Sequence, residues 1–296
     1  MSRCTPARGP APGRRWSAGR RCVILARVRI VDLDPEPLHV LTYADAAPGG
    51  GTQARALPLV RARVDGLPPE LDALLVTSDL QGRGRLAAAD GAMPLLGEVL
   101  AEEYAALAEL GLVPAPASTG VLLAGDLYAA PGADRMGATG DVRAVWRAFA
   151  ASFRWVAGVA GNHDLFGGAQ EHGRFAREPG VHLLDGAAAT LDDLRVAGVG
   201  GICGNKGKPN RRPRDEFLAA IRRVLANRPH VLVLHEGPDG AAPGQRGNPE
   251  VRAAVDGRRV LVVCGHVHWS SPLAELPGGA QVLNVDGRAF VLGRAG

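Results

Sequence analysis

Two histidines stand one residue apart where an apolar run ends: the stretch VCGHVHW, residues 263–269, contains His266 and His268. In an extended strand, residues i and i+2 point to the same face. Two imidazoles on one face would be costly to bury without partners. The spacing therefore predicts that both rings face a common polar or charged group.

Other polar side chains that can bind ions or move protons also follow apolar, strand-like runs. A lone Asp after a strand is usually a turn former or a helix N-cap, and a lone His is usually a satisfied surface or core residue. Five such strand ends in order make coincidence a poor explanation, because the carboxyl ends of strands in an open α/β sheet converge on one crevice. We therefore expect the following residues to meet: Asp79, Gln81, Asp126, Asn162, His163, Asp164, His235, His266 and His268.

Apolar runs alternate with amphipathic stretches along the chain, and this alternation predicts an α/β fold built in layers. Runs such as TGVLLAGDLY, HVLVLHEGP and RVLVVCGHVHW are typical of buried strands, and RDEFLAAIRRVLAN places apolar residues on one helical face. Residues 85–112 are predicted as helix, in two pieces around Pro94. Residues 181–202 predict a hairpin, and residues 281–293 predict a second one with Asp-Gly at its turn.

The amino-terminal 66 residues precede all of these motifs. Residues 1–22 are rich in Pro, Gly and Arg and lack the apolar core of a signal peptide, so we expect a disordered leader. Residues 23–66 contain three strand-like runs and predict a strand-rich extension, which either lengthens a sheet edge or forms a small accessory unit. Residues 67–296 are then the main domain.

Composition excludes several classes of protein. The net charge of +4 is local, because the first 30 residues hold eight Arg and no acid and the remainder carries about −4. The four cysteines show no C-x-x-C spacing, so neither disulfides nor a structural zinc site is indicated, and a reducing cytoplasm is expected. No run of about 18 apolar residues predicts a membrane span.

The motifs SDLQG, AGDLY, AGNHD, VLHEG and CGHVH occur in this order, each after a strand-like run. They resemble the D-x-H, G-D, G-N-H-[DE], lone-His and G-H-x-H motifs of the calcineurin-like metallophosphoesterases, and the last three together are highly specific. The resemblance covers residues 72 to about 292. It implies a four-layer α/β/β/α sandwich with mixed sheets and a metal site at the carboxyl ends of the strands.

The resemblance also implies two divalent metal ions, a metal-bound hydroxide as the attacking group, and a ligand in every motif. Asp126 would bridge the ions, Asp79, Gln81 and His268 would bind the first, and Asn162, His235 and His266 would bind the second. His163 would protonate the leaving oxygen, and Asp164 would orient its ring. Oxygen and imidazole donors suit Mn, Fe, Zn, Co or Ni.

Gln81 departs from the family pattern, because most members carry His at this position. Its carbonyl oxygen still offers a ligand, but a neutral amide is a poorer donor than imidazole for softer ions. The departure therefore favours Mn among the candidate metals and puts the affinity of the first site in question.

The segment GGICGNKGKPNRRPR, residues 200–214, is the candidate substrate-binding segment. Its cationic side chains, Lys206, Lys208, Arg211 and Arg212, would clamp an anionic substrate. A solvated loop that leads into a helix explains the same composition nearly as well.

Taken together, the sequence predicts a cytoplasmic metallophosphoesterase that hydrolyses a phosphomonoester or a phosphodiester without a membrane partner. One alternative is a scaffold or binding protein that keeps the fold but has lost turnover, which Gln81 mildly favours. Another is a nuclease, which would need a continuous basic track with stacking aromatics. With aromatic residues at 4% and a net acidic body, a nucleic-acid partner is the less favoured interpretation. The pattern does not indicate an oligomeric state.

Overall fold

The computed structural model describes residues 27–84 and 93–295, and the predicted leader lies outside them. In the amino-terminal half the elements are β1 (Arg29–Leu33), β2 (His39–Ala46), β3 (Thr52–Asp65), β4 (Ala73–Thr77), α1 (Leu96–Glu109), a 3-10 turn (Pro116–Ser118), β5 (Thr119–Leu123), β6 (Gly140–Asp141), α2 (Arg143–Ser152), β7 (Trp155–Gly158), β8 (Asp164–Leu165) and α3 (Ala169–Phe175). In the carboxyl-terminal half they are β9 (Val181–Leu183), β10 (Ala187–Leu191), β11 (Leu194–Val199), β12 (Ile202–Cys203), β13 (Arg211–Arg212), α4 (Arg214–Ala226), β14 (Val231–Glu236), α5 (Pro249–Val255), β15 (Leu261–Gly265), β16 (Leu273–Glu275), β17 (Gln281–Asn284) and β18 (Ala289–Arg294).

The first sheet has eight strands among the described residues, in the order β1-β3-β18-β4-β5-β7-β9, with β2 paired to β3. Strands β4, β5 and β7 run parallel to one another, so their carboxyl ends lie at the same edge. Every residue of β4 and β5 is buried, as expected for apolar strands that are covered on both faces.

The second sheet has six strands among the described residues, in the order β10-β11-β14-β15-β17-β16. Strands β11, β14, β15 and β17 are parallel neighbours, so this sheet also gathers its carboxyl ends at one edge. The antiparallel pair β10 and β11 confirms the hairpin predicted within residues 181–202, with Asp192 and Asp193 at positive φ in its two-residue turn. Strand β9, from the same stretch, joins the first sheet instead.

Three apolar cores alternate with the two sheets. One lies between the sheets and includes Val76 and Phe290 from the first sheet and Val233 and Val263 from the second. Another packs α1, α2 and α3 on the outer face of the first sheet. The third packs α4 and α5 on the outer face of the second. The layers therefore follow the order α/β/β/α that the resemblance implied.

The hairpin predicted for residues 281–293 is wrong. Strand β17 pairs with β15 and β16 in the second sheet, whereas β18 pairs with β3 and β4 in the first. The Asp286-Gly287 step is thus a crossing between sheets. Both strands are buried in sheet interiors, and two apolar runs joined by Asp-Gly fit a crossing as well as they fit a hairpin.

The helix predicted for residues 85–112 is shorter in the structure. Helix α1 covers Leu96–Glu109, and the first predicted piece falls largely on residues 85–92, which are not described. Within the described ranges, no helix combines the length and the apolarity that crossing a bilayer requires.

The three amino-terminal strand-like runs lengthen the edge of the first sheet. Strand β3 pairs with β1, β2 and β18, which ties this segment to the sheet that carries the main motifs. A second tie comes from the other sheet, where the buried Gln281 side chain accepts from Ile30 N at 2.9 Å and donates to Ile30 O at 3.0 Å. One amide thus satisfies both backbone groups of a residue near the sheet edge.

We expect Gln281→Leu to lower the free energy of unfolding by about 2–4 kcal/mol, because it leaves a buried N–H and a buried C=O without partners. Gln53→Leu is the matched control, since Gln53 makes one bond, to Ala46 O, from a half-buried position. Urea denaturation of both variants measures the difference. Equal losses in the two variants would contradict the role assigned to Gln281.

Candidate metal centre

The carboxyl ends of five strands from the two sheets bring the predicted set together. Asp79, Asp126 and Asn162 follow β4, β5 and β7 of the first sheet. His235 lies near the end of β14, and His266 follows β15 of the second sheet. Asp126, Asn162 and His235 are buried, with exposed fractions of 3%, 3% and 0%. The meeting point lies inside the protein, at the edge where the two sheets adjoin.

Three of these residues have left-handed backbone conformations. The φ angles are 53° at Asp79, 55° at Asp126 and 68° at His266. Non-glycine residues rarely adopt such angles, and they persist where the surrounding structure holds them. Here Asp79 N donates to Gly125 O at 2.9 Å, and His266 N donates to an Asp79 oxygen at 3.0 Å. Neighbouring strand ends therefore hold one another in the turn that points each side chain inward.

Two motif glycines are required by close approach rather than by flexibility. A Cβ on Gly161 would lie 2.0 Å from Asp126 Oδ1, and a Cβ on Gly265 would lie 2.1 Å from Asp79 Oδ2. Contacts this short are sterically forbidden, so any larger residue would push the carboxylates out of place. The glycines of AGNHD and CGHVH thus make room for the aspartates of the other motifs.

Asp126, His235 and His266 form the compact part of the site. Each offers a ligand atom, and these three atoms lie within 4.8 Å of one another. His235 Nε2 is 3.4 Å from Asp126 Oδ2 and 3.1 Å from Asn162 Oδ1. The rings of His235 and His266 are 5.0 Å apart between centroids.

The hydrogen bonds of His235 show that this cluster fits a cation. Its Nδ1 lies 2.8 Å from Ala124 O, and a carbonyl oxygen only accepts, so Nδ1 carries the hydrogen. The Nε2 lone pair of the neutral ring then faces two further acceptors, the oxygens of Asn162 and Asp126. Three acceptors that face one point need a proton or a metal ion between them, and nitrogen with oxygen donors suits a divalent ion.

The buried carboxylates around His235 favour a positive charge at the same point. Burial lowers the pKa of His235, but the carboxylates of Asp126 and Asp79 outweigh burial and raise it to about 10. Burial and the neighbouring His235 lower the pKa of His266 to about 4, so its ring is neutral near pH 7. Burial and the carboxylates of Asp286 and Asp126 raise the pKa of Asp79 to about 8. The site therefore stabilises one added cation strongly.

Gln81 and His268 lie at the edge of this cluster and have other partners. Gln81 Nε2 donates to Asp126 Oδ2 at 3.0 Å. His268 Nδ1 is 3.2 Å from Asp286 Oδ1, and its Nε2 is 3.0 Å from Arg288 Nη2. The His268 side chain is 58% exposed, in contrast to the buried His235. Of the predicted ligands, the structure thus assembles those of the second ion most completely.

His163 lies beside the cluster and lines the cleft above it. Its backbone N–H donates to Asp126 Oδ1 at 2.9 Å, which fixes the residue against the central carboxylate. Its ring Nδ1 is 3.1 Å from Thr139 Oγ1. The contact to the ring that the sequence assigned to Asp164 is therefore made by Thr139.

Asp164 instead joins two loops of the site through backbone hydrogen bonds. Its Oδ2 accepts from Asp126 N and Gly161 N, both at 2.8 Å, and its Oδ1 accepts from Leu127 N at 2.7 Å. Burial and the charge of Asp126 raise its pKa to about 7. Asp164 therefore holds the loops after β5 and β7 at a fixed separation.

The cleft above the cluster has a volume of about 350 Å³. Part of its wall comes from the amino-terminal strands, through Tyr43 and Asp45 of β2 and Arg55 of β3. Sequence reasoning missed these residues, because they lie in no motif. It also missed Asp286, which the Asp-Gly turn signal had placed in a hairpin.

The four cations of the predicted substrate-binding segment have different environments. Lys206 pairs with Glu216 and both are exposed, and Arg212 pairs with Asp185. Lys208 is exposed. Arg211 is half-buried, and its positive charge helps to lower the pKa of His266. No carboxylate lies within 4.0 Å of its guanidinium among the residues described.

Asn210, from the same segment, braces the loop that carries His163. Its Nδ2 donates to Gly161 O at 2.8 Å and to Asp164 O at 2.6 Å. Asn210 is exposed to solvent, and its side chain nevertheless supports the loop that carries His163.

Comparison with known proteins connects these motifs to a family. The sequence model of a family described as calcineurin-like phosphoesterase matches residues 73–270. No curated protein matches the chain. Among solved structures, TT1561 of Thermus thermophilus is 17% identical with a TM-score of 0.49, over 73% of this chain and 90% of that one.

Two other solved structures are similar over a smaller share of their own length. A 5'-nucleotidase precursor from Thermus thermophilus is 15% identical with a TM-score of 0.41, over 72% of this chain and 48% of that one. The sulfate thiohydrolase SoxB of the same organism is 15% identical with a TM-score of 0.40, over 77% of this chain and 57% of that one.

We expect the affinity for Mn²⁺ to rise with pH. Below pH about 10 the metal-free His235 carries a proton that the ion must displace, and Asp79 carries one below about 8. The apparent Kd should fall by about tenfold or more per pH unit between about pH 6 and about pH 8. Calorimetry in buffers of different ionisation enthalpy measures both the Kd and the protons released. A Kd that does not change with pH would contradict the role of His235.

Asp164→Ala should lower the free energy of unfolding by about 3–5 kcal/mol, because three buried N–H groups lose their acceptor. Asp185→Ala, at an exposed carboxylate paired with Arg212, should cost about 1 kcal/mol or less. Thermal and urea unfolding of both variants test this difference. Similar values would show that the backbone contacts of Asp164 contribute little.

Proposed function

Because the chain belongs to the calcineurin-like phosphoesterase family, we propose that it hydrolyses a phosphomonoester or a phosphodiester with the help of bound divalent metal. The observation that supports this most is the convergence of Asp126, Asn162, His235 and His266 on one point. Their acceptor atoms need a cation there, and the point lies under an open cleft lined by a further histidine. A metal-dependent hydrolase needs this combination of a cation site, room for substrate and a proton donor.

We propose two unequal ion sites that share Asp126. Asn162, His235 and His266 would hold one ion, and Asp79, Gln81 and His268 would hold the other. Bound divalent ions would supply a Lewis acid that activates water and neutralises phosphate charge. Oxygen donors predominate in the site with Gln81, which favours Mn²⁺ over softer ions there.

His163 is the residue best placed to move a proton. Its ring lines the cleft, and the contact from Nδ1 to Thr139 holds the ring in one orientation. The other ring nitrogen, Nε2, would then donate a proton to the leaving oxygen of the substrate. The backbone bond from His163 to Asp126 keeps this donor at a constant distance from the metal ligands.

Arg211 is the cation of the predicted substrate-binding segment that best fits a phosphate contact. It lies close enough for its positive charge to lower the pKa of His266, and no carboxylate pairs with it among the described residues. A guanidinium in that position would bind phosphate oxygens in two parallel hydrogen bonds. Tyr43 and Arg55 on the cleft wall would contact the rest of the substrate.

The partners of Gln81 and His268 favour a second candidate, a scaffold that binds metal or phosphate without turnover. In that case His163 would have no kinetic role. The two candidates therefore differ in the effect of His163 on the rate.

The protein loaded with Mn²⁺ should hydrolyse p-nitrophenyl phosphate or bis-p-nitrophenyl phosphate, and a chelator should abolish the reaction. Asp126→Asn should reduce both metal content and rate, because it weakens the carboxylate shared by both sites. His163→Ala should keep the metal and lose about 10²–10⁴-fold in rate. His39→Ala is the control, since His39 pairs with Glu103 on another part of the surface.

Release of nitrophenol from one ester and not the other would also distinguish a phosphatase from a phosphodiesterase. If metal analysis shows bound ions but neither ester is cleaved with Mn²⁺, Fe²⁺, Co²⁺, Ni²⁺ or Zn²⁺, the scaffold becomes the better account.

A further inference from the structure

The two ring nitrogens of His268 have opposite partners. Nδ1 lies 3.2 Å from Asp286 Oδ1, and Nε2 lies 3.0 Å from Arg288 Nη2. A guanidinium only donates, so Nε2 accepts and carries no hydrogen. The hydrogen is therefore on Nδ1 and is donated to Asp286. This leaves the lone pair of Nε2, the atom that a metal ion would use, bonded to an arginine.

Arg288 has few other partners. No carboxylate lies within 4.0 Å of its guanidinium among the described residues. Its Nη1 is buried and lacks a hydrogen-bond partner in the part of the chain that the structure describes. The bond to His268 is thus the one hydrogen bond that the described residues give the Arg288 side chain.

The backbone holds Arg288 in place beside β4. Thr77 Oγ1 donates to Arg288 O at 2.8 Å, and Gly287 N donates to Ser78 O at 3.3 Å. Asp286 forms an isolated β-bridge with Ser78, the residue before Asp79. The crossing between the sheets therefore presents Asp286 and Arg288 to His268 from a fixed position.

Gln81 also occupies an acceptor atom of the proposed first ion site. Its Nε2 donates to Asp126 Oδ2, so a side-chain N–H occupies a lone pair of the shared carboxylate. Two N–H donors, from Gln81 and Arg288, thus use acceptor atoms that the first ion would need. By contrast, the acceptors of Asn162 and His235 face each other with no donor between them when the His235 ring is neutral.

We propose that Arg288 is an internal competitor of the first metal ion, because its guanidinium occupies the Nε2 lone pair of His268. The protein then binds one divalent ion tightly at Asp126, Asn162, His235 and His266. A second ion binds only when its concentration is high enough to displace Arg288 from His268. Asp286 has the opposite effect, because its carboxylate orients the ring and makes Nε2 a better donor. This inference rests on the metal centre proposed above.

Titration of the apoprotein with Mn²⁺, by calorimetry and by metal analysis after equilibrium dialysis, tests the proposal. The wild type should show one tight site and one weaker site, separated by about tenfold or more in Kd. Arg288→Met should strengthen the weaker site by about tenfold or more and leave the tight site unchanged. Arg288→Met combined with His268→Ala should lose this gain.

Arg135→Met is the matched control, because Arg135 lines the same cleft and its charge is removed without touching His268. Arg288→Gln provides a second neutral variant, and thermal unfolding of each variant establishes that it is folded. A gain with both neutral variants at position 288 and none at position 135 supports the proposal.

Two sites of equal affinity in the wild type, no gain in the folded Arg288 variants, or the same gain with Arg135→Met would overturn the proposal and leave the proposed function intact. Failure to bind any ion would overturn both. The readout is metal stoichiometry, so it does not depend on finding the natural substrate.

Discussion

The carboxylate of Asp126 is the contact on which the rest of the site depends. It is buried, and its backbone is held in a left-handed conformation. One oxygen accepts from His163 N, and the other accepts from Gln81 and lies 3.4 Å from His235 Nε2. A buried carboxylate is costly unless it is paired, so the surrounding structure must supply donors or a cation. Gln81 and His163, which follow strands of the first sheet, and His235 of the second sheet supply these partners at one point.

The support for that carboxylate explains features that otherwise look unrelated. Gly161 has no side chain because Asp126 occupies the space that a Cβ would need. Asp164 holds Asp126 N and Gly161 N together, and Asn210 donates to the Gly161 carbonyl of the same loop. The layered fold thus serves to position a few acceptor atoms that repel one another without a cation.

Much of the site was predictable from the sequence, for a physical reason. Parallel strands place their carboxyl ends at one edge, so polar residues after buried runs, such as Asp126, Asn162 and His235, were expected to meet. Their roles as ligands remain a proposal. The fold class was predictable because apolar runs alternate with amphipathic ones.

Other features were not predictable, since they depend on which sheet a strand joins. The sequence of β17 and β18 fits a hairpin, but β17 pairs with β15 and β18 pairs with β4, which places the two strands in different sheets. Asp286 and Arg288 were missed for this reason, because their position beside His268 follows from the crossing. Tyr43 and Arg55 were missed because they reach the cleft from strands without a motif. Asp164 was predicted to contact the ring of His163, whereas in the structure its carboxylate accepts hydrogen bonds from backbone N–H groups.

The amino-terminal strands contribute to both the first sheet and the cleft. They lengthen the first sheet, receive the Gln281 amide from the second sheet, and form one wall of the cleft. The cleft wall and the proposed metal ligands thus come from different segments of the chain. The motif loops supply acceptor atoms, and the strands before them shape the space above.

Asp126, Asn162, His235 and His266 are together proposed to hold a divalent ion. Anomalous diffraction from crystals grown with Mn²⁺ can test this proposal, since it locates the metal without any assumption about activity. We expect the strongest anomalous peak between the Asp126 carboxylate, Asn162 Oδ1 and His235 Nε2. A folded protein crystallised with excess Mn²⁺ that shows no peak at that point, or shows its strongest peak elsewhere, would contradict it.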